Sequence, residues 1–204
     1  MIRMSNKSLC ENCFAEISSE PCSQCGFERS KYTCDPVVLP VGSVLEGRYM
    51  IGRVIGKGGF GITYLAYDMK LSCKVAIKEY YPYGVAVRDI SSTMVTTSAD
   101  TQKSFKEGAD RFYNEARLVA GFNGNPNIVS VYDFFYGNDT VYFTMGYLQG
   151  INLKAYIGKN GAITPGQAVF LANEVSNALI TAHNANVLHR DISPTTLCSA
   201  MTAP

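Results

Sequence analysis

A glycine-rich hexapeptide, Gly56-Lys-Gly58-Gly59-Phe60-Gly61, limits the possible folds of this chain more than any other feature. Both of its flanks read as β-strand. Tyr49 to Gly56 alternates in part and runs into the glycines, and Ile62-Thr-Tyr-Leu-Ala-Tyr67 follows with β-branched and aromatic residues. The spacing G-x-G-x-x-G is weak alone, because dinucleotide-binding folds share it. In those folds the glycines lead from a strand into a helix, with an acidic residue about 20 positions on. A glycine loop between two strands is a flap, whose backbone amides can lie over phosphates; the bland alternative is a plain glycine hairpin.

A third β-rich run, Cys73 to Glu79, follows a polar turn around Asp68 to Ser72. Within it Val75-Ala76-Ile77-Lys78 puts a lysine at the end of an otherwise apolar strand, seventeen residues after Gly61. Burying that amine is costly unless anions surround it. Phosphate oxygens on one side and a carboxylate on the other would satisfy it. Phe105 to Phe122 carries Phe112, Ala116, Val119 and Ala120 at helical spacing and contains Glu115 near its apolar face. Glu107 is the rival carboxylate, but it sits among polar residues. Lys78 and Glu115 could also be no more than a structural ion pair.

The remaining pattern is strands and then mainly helix. Ser91 to Ser104 reads as a solvated Ser/Thr-rich loop rather than a phosphorylation site. Ile128 to Phe135 and Val141 to Tyr147 read as a hairpin around Gly137-Asn138-Asp139. Thr164-Pro165-Gly166-Gln167 combines an N-cap, a proline at the first helical position and a capping-box glutamine. Val169, Phe170, Val175, Leu179 and Ala182 continue as the apolar stripe of a helix to about Asn184. His189-Arg190-Asp191 comes after it.

Flap, strand lysine, helical glutamate and His-Arg-Asp, in that order, make up the protein-kinase signature set. Residues 48 to about 194 thus resemble a bacterial serine/threonine protein kinase of the eukaryotic-like type. The resemblance also covers Gly58-Gly-Phe-Gly-Ile-Thr-Tyr-Leu-Ala66, Ala76-Ile-Lys-Glu-Tyr-Tyr-Pro82 and Asn125-Pro-Asn-Ile-Val129. It implies an α+β fold: a kinase-like N-lobe of antiparallel sheet plus one helix over 48–148, and the first helices of a C-lobe over 149–204. It implies ATP and Mg2+ as cofactors, with protein substrates or signalling partners.

The implied roles are specific. Lys78 holds the α- and β-phosphates, Glu115 positions it, and Asp191 accepts the proton of the substrate hydroxyl. Ile55, Gly56, Gly58, Gly59, Phe60 and Gly61 belong to the flap. Ala76 lies on one side of the adenine, and Thr63 takes the place of the usual valine on the other. Met145 is the gatekeeper, and backbone groups near Tyr147 and Leu148 face adenine. Gly146 stands where relatives often carry an acidic residue.

The resemblance breaks after Asp191. The family carries an asparagine five residues on and then Asp-Phe-Gly, both holding magnesium. Here Thr196 has the asparagine's place, Ser193 replaces the common lysine, and the stretch to Pro204 contains no Asp-Phe-Gly. The expectation is an incomplete, inactive copy; the alternative is a catalytically dead nucleotide-binding or protein-interaction module. Thr195 to Pro204 can be back-translated, with free codon choice, so that a shift of one base gives Asp-Asn-Ile-Met-Leu-Ser-Asp-Asp-Gly-Ala. The tail therefore reads as a frameshift product, which the coding DNA across Pro194 would check. The helix from Pro165 is then expected to expose apolar surface and to lower solubility.

Four of the seven cysteines lie within sixteen residues, Cys10-Glu-Asn-Cys13 and Cys22-Ser-Gln-Cys25-Gly26. Residues 1 to 34 are too few for a core of their own and need a staple. Two C-x-x-C hooks fit a Cys₄ zinc site, each supplying two thiolates from a tight turn; a redox-active pair or free thiols are the alternatives. This reads as a zinc ribbon over 1–34, followed by a linker over 35–47 marked by Pro36, Pro40 and Gly42. Cys34 reads as a linker thiol, Cys73 as a buried strand residue and His183 as a surface or packing residue. Four basic and four acidic side chains in the module, and a net charge of +1 overall, give no reason to expect nucleic acid. Met1 to Lys7 is polar, unlike a secretory signal, and no apolar run reaches about 18 residues, so the chain is expected to be soluble and cytoplasmic.

Overall fold

The computed structural model of the 204-residue chain describes residues 3–4, 7–89 and 91–199. The polar start at Met1 to Lys7 and the end of the tail to Pro204 fall partly outside the described residues. The chain forms two units, Met1–Arg117 with Tyr132–Gly146, and Leu118–Val131 with Tyr147–Pro204.

The first unit begins with three short strands, β1 Arg3–Met4, β2 Lys7–Leu9 and β3 Glu16–Ile17, paired in that order. They carry the cysteine hooks. Then come β4 Val44–Leu45, β5 Tyr49–Gly58, β6 Gly61–Asp68 and β7 Cys73–Tyr80, with β8 Val87–Arg88 paired to β9 Val95–Thr96. Helix α1, Gln102–Ala120, precedes the hairpin of β10 Val131–Gly137 and β11 Thr140–Gly146. The main sheet has six strands in the order β10-β11-β7-β6-β5-β4. The hairpin turns through Asn138 and Asp139, at φ 49° and 56°, the left-handed pair a two-residue turn requires.

Strand alternation and helix periodicity build the core of this unit. Ile51, Tyr64, Ala66, Ile77 and Tyr142 are fully buried, with Phe105, Ala109 and Phe112 of α1 against them. Phe105, Ala109, Phe112 and Ala116 recur at four, three and four residues, the inward stripe of an amphipathic helix. The stretch 35–47, expected as a linker, is not a free tether. Val38, Leu39 and Leu45 belong to the same core, because their apolar side chains find the open face of the sheet. Cys73, expected to be buried, is exposed at the first residue of β7.

In the second unit, β12 Ile151–Asn152 pairs with β13 Cys198–Ser199. Between them lie α2 Leu153–Asn160, which sequence reading did not single out, and α3 Pro165–Asn184. Asn152 caps α2 by accepting from the Ala155 N–H at 2.8 Å. Thr164 and Gln167 cap α3 reciprocally, as their spacing predicts. None of the residues of α3 is buried, and Val169, Phe170 and Ile180 are each more than half exposed. The apolar exposure expected of this helix is therefore present. No described helix is long and apolar enough to cross a membrane.

Candidate functional site

The glycine flap is a hairpin. Gly58 pairs with Gly61, leaving Gly59 and Phe60 at the tip, where Phe60 is 77% exposed. Gly61 is needed for close approach, since a Cβ there would run into the Glu79 carbonyl oxygen on β7. A Cβ on Gly59 would meet nothing within 4 Å, so that face of the flap is open. The tip is also held: the N–H groups of Tyr81 and Tyr83 donate to the Phe60 and Gly59 carbonyls at 3.1 and 3.0 Å.

The ladders bring the other expected residues of this unit together. Thr63 lies opposite Lys78, Leu65 opposite Ala76, and Met145 opposite Ala76. The Lys78 Cε lies 3.8 Å from where a Gly61 Cβ would stand, which puts the amine at the base of the flap. Its Nζ is 5.6 and 5.7 Å from the ring centres of Phe112 and Phe143, within cation–π range. The expected ion pair of Lys78 with Glu115 is not formed among the described residues. The inward stripe of α1 belongs to Phe112 and Ala116, which turns Glu115 to the exposed flank; Glu107 is exposed too.

The carboxylate that sequence reading missed is the next residue. Strand alternation sends Lys78 and Glu79 to opposite faces. Glu79 is fully buried, accepting from Arg88 Nη2 at 2.6 Å, Tyr64 O–H at 2.8 Å and Tyr142 O–H at 2.7 Å. Arg88 also donates to the carbonyls of Val37 and Thr93, and the Leu39 N–H donates to the Tyr64 hydroxyl. Burial would lower the Arg88 pKa, but the Glu79 charge outweighs it and holds the guanidinium ionised. Desolvation and that same carboxylate drive the Tyr64 and Tyr142 hydroxyls well above their usual range. This network is structural: it ties the 35–47 stretch to β6, β7 and β11. A glutamate inside an apolar strand with an arginine nine residues on is the only signal that could have exposed it.

In the second unit, Asp191 follows α3 on an exposed, non-helical segment, and its N–H donates to His189 Nδ1 at 3.3 Å. Arg190 has φ 62°, an uncommon conformation for a residue with a side chain. Thr196 closes a turn on Ser193: its hydroxyl accepts from the Ser193 N–H at 3.0 Å and donates to the Ser193 carbonyl at 2.8 Å. Asn125 anchors the Asn125-Pro-Asn stretch by donating to Thr181 Oγ1 of α3 at 3.0 Å. Tyr147 is half-buried and Leu148 is 55% exposed.

The four cysteines of the first unit converge. Their Sγ atoms all lie within 4.8 Å of one another, with Cys10–Cys25 at 3.6 Å and Cys13–Cys22 at 3.7 Å. Sulfurs about 2.3 Å from a tetrahedral zinc stand about 3.8 Å apart, so the donor set fits that ion. The two hooks repeat one geometry. The N–H of Cys10 donates to Ala15 and that of Cys22 to Phe27, while Phe14 and Gly26 donate back to Cys10 and Cys22. Phe14 and Gly26 take matching left-handed φ values of 54° and 71°. Burial pushes the Cys10 thiol up to about 12 and raises Cys13 as well. At Cys25 burial also raises the pKa, but the Asn12 amide and the Phe27 N–H outweigh it and bring the thiol down to about 7. A divalent cation at this site would stabilise all four thiolates together.

A sequence model described as the protein kinase domain matches residues 49–199. The chain is 35% identical over 154 residues to serine/threonine-protein kinase PrkC of Bacillus subtilis, covering 76% of this chain and 21% of the relative. It is 28% identical over 158 residues to serine/threonine-protein kinase B of Synechocystis, covering 78% of this chain and 25% of the relative. The chain thus spans about a fifth to a quarter of the length of these curated relatives. Among solved structures it resembles the apo form of PpkA-294, with a TM-score of 0.72 and 34% identity, over 77% of this chain and 56% of that one. The Mycobacterium tuberculosis PknI kinase domain shares the fold, with a TM-score of 0.59 at 23% identity, over 79% of this chain and 57% of that one.

Proposed function

Because the chain belongs to the protein kinase family, we propose that it carries the nucleotide-gripping part of a serine/threonine protein kinase that transfers the γ-phosphate of ATP to protein hydroxyls. One observation carries the reading: the Lys78 amine sits at the base of an open glycine flap with no carboxylate paired to it among the described residues. Such an amine is a ready partner for phosphate oxygens. In this reading Gly56, Gly58 and Gly59 line the flap over the phosphates, and Ile55, Thr63 and Ala76 border the base. By their positions in the family pattern, Met145, Tyr147 and Leu148 are assigned to the adenine and Asp191 to the proton of the substrate hydroxyl. Glu115 is assigned as the counter-charge of Lys78 in a nucleotide-bound state. ATP supplies the phosphoryl group that is transferred.

The magnesium ligands do not fit as they do in the family. Thr196 occupies the asparagine position, and its oxygen is already bound to the Ser193 backbone in both directions. We therefore assign this stretch a nucleotide-binding rather than a phosphotransfer role. Incorporation of labelled γ-phosphate into a general protein substrate tests this. The expected result is none above background, and incorporation abolished by Lys78→Ala would overturn it.

The second assignment is structural zinc at Cys10, Cys13, Cys22 and Cys25, supported by sulfur spacings that match a tetrahedron. Elemental analysis is expected to give one zinc per chain, lost in Cys22→Ser.

A further inference from the structure

We infer that the cysteine module is a metal-dependent brace on β5, so that loading of the Cys₄ site sets how well the strand feeding the glycine flap is ordered. The inference rests on the reading of the four cysteines as a zinc site.

The argument starts with a defect in the ladder. The pairing of β5 with β6 shifts register between Ile51 and Val54 and again between Val54 and Gly56. An irregular stretch leaves backbone groups that the neighbouring strand cannot satisfy. The cysteine module supplies the missing partner: the Arg53 N–H donates to the Asn12 carbonyl at 3.0 Å. Asn12 lies between Cys10 and Cys13, and its side-chain amide donates to Cys25 Sγ at 3.5 Å. One residue thus joins a metal ligand to the flap strand.

Shape reinforces this link. Phe14, held in the left-handed turn of the first hook, packs its ring 5.5 Å from that of Tyr67 on β6. It also lies directly over Gly52, where a Cβ would come within 2.8 Å of both the Asn12 oxygen and Phe14 Cε2. Further along, Asp35 pairs with Lys57, a flap residue, at 2.6 Å. The cysteine module therefore touches β5 at residues 52 and 53, and the stretch directly after it touches residue 57, just ahead of the exposed tip.

The brace depends on metal because the buried cluster at the hooks is built mainly from the ligands themselves, with Ile17, Cys25 and Phe27 only partly buried against it. That cluster consists of Cys10, Cys13, Ala15 and Cys22. A cluster made mostly of ligands loses its shape when the ion leaves, as small metal-stapled domains do. Asn12 and Phe14 then leave β5, and the Arg53 amide opens to water.

Hydrogen exchange on the full chain, with zinc counted in the same samples, tests the inference. Chelation of zinc is expected to speed exchange at Arg53 and across 54–58 about tenfold, the scale of one lost backbone hydrogen bond. Exchange in 75–79 of β7 is expected to stay unchanged. Gly52→Ala, which forces the module off the strand, is expected to give the same acceleration with zinc retained. Phe14→Ala, which leaves β5 itself intact, is expected to do likewise. Unchanged exchange at Arg53 after zinc has left, or in both variants, would overturn the brace while leaving the zinc site standing. A chain that binds no zinc would overturn both.

Discussion

The sheet of the first unit and helix α3 of the second are stabilised in opposite ways. The sheet buries Tyr64, Ile77, Tyr142 and even the charged Glu79 completely, and it satisfies every oxygen of that carboxylate. Helix α3 buries no residue fully, its stripe of Leu171, Val175 and Leu179 being only half-buried, and leans on its Thr164 capping box and the intrinsic preference of its residues for helix. The difference teaches where damage spreads. A fault in the sheet is felt through a shared, close-packed interior, whereas a fault at an α3 terminus stays within a turn or two.

The largest expected effect comes from breaking the buried pair. Arg88→Met leaves Glu79 charged and buried beside two hydroxyls, and is expected to cost about 3–5 kcal/mol in urea unfolding. A cost below about 1 kcal/mol would mean that the sheet does not depend on that network. Next is Asp68, whose carboxylate receives the Arg48 fork and the Lys70 and Leu71 amides. Burial raises its pKa, but these partners outweigh burial and leave it below the usual carboxylate range. Its contribution is therefore complete above the unfolded-state value of about 3.9 and fades as pH falls through the folded-state value. Asp68→Asn is expected to cost about 2 kcal/mol at neutral pH and to flatten the acid side of the stability curve.

The smaller effects sharpen the contrast from the other region. Thr164→Ala is expected to cost about 1 kcal/mol, read as faster exchange over 165–168 with the sheet unchanged. Loss of protection in the sheet as well would erase the distinction between the regions. Phe170→Ser is expected to change stability by less than about 0.5 kcal/mol, because the ring is already 59% exposed. Its effect belongs to self-association, which light scattering should show to decrease.

Much of this was legible in the chain. Strands β5, β6 and β7 and helices α1 and α3 lie where alternation, periodicity and the Thr164-Pro165-Gly166-Gln167 cap predict them. These signals are local and need no knowledge of partners. What escaped depends on pairing across distance. Val38, Leu39 and Leu45 read as linker because Pro36, Pro40 and Gly42 outweigh the apolar residues between and after them, yet the sheet has an open face for them. Glu79 read as the end of a strand because its partners come from β6, β8 and β11. Lys78 lies at the base of the flap, but its neighbours are the Phe112 and Phe143 rings rather than Glu115, since periodicity marks a helix face without fixing which flank turns inward. The cysteines were the simplest case, as C-x-x-C spacing dictates the turn that brings the sulfurs together.

Titration of the full chain with a fluorescent ATP analogue, comparing Lys78→Ala with Glu115→Gln, tests the central assignment most directly. Binding is expected to fall by at least about tenfold when the amine beneath the flap is removed, the scale of a charge-assisted contact to phosphate. Glu115→Gln is expected to weaken binding less than Lys78→Ala does, because it removes the counter-charge assigned to the nucleotide-bound state and not the amine that meets the phosphates. Equal binding by the parent and Lys78→Ala would contradict the account.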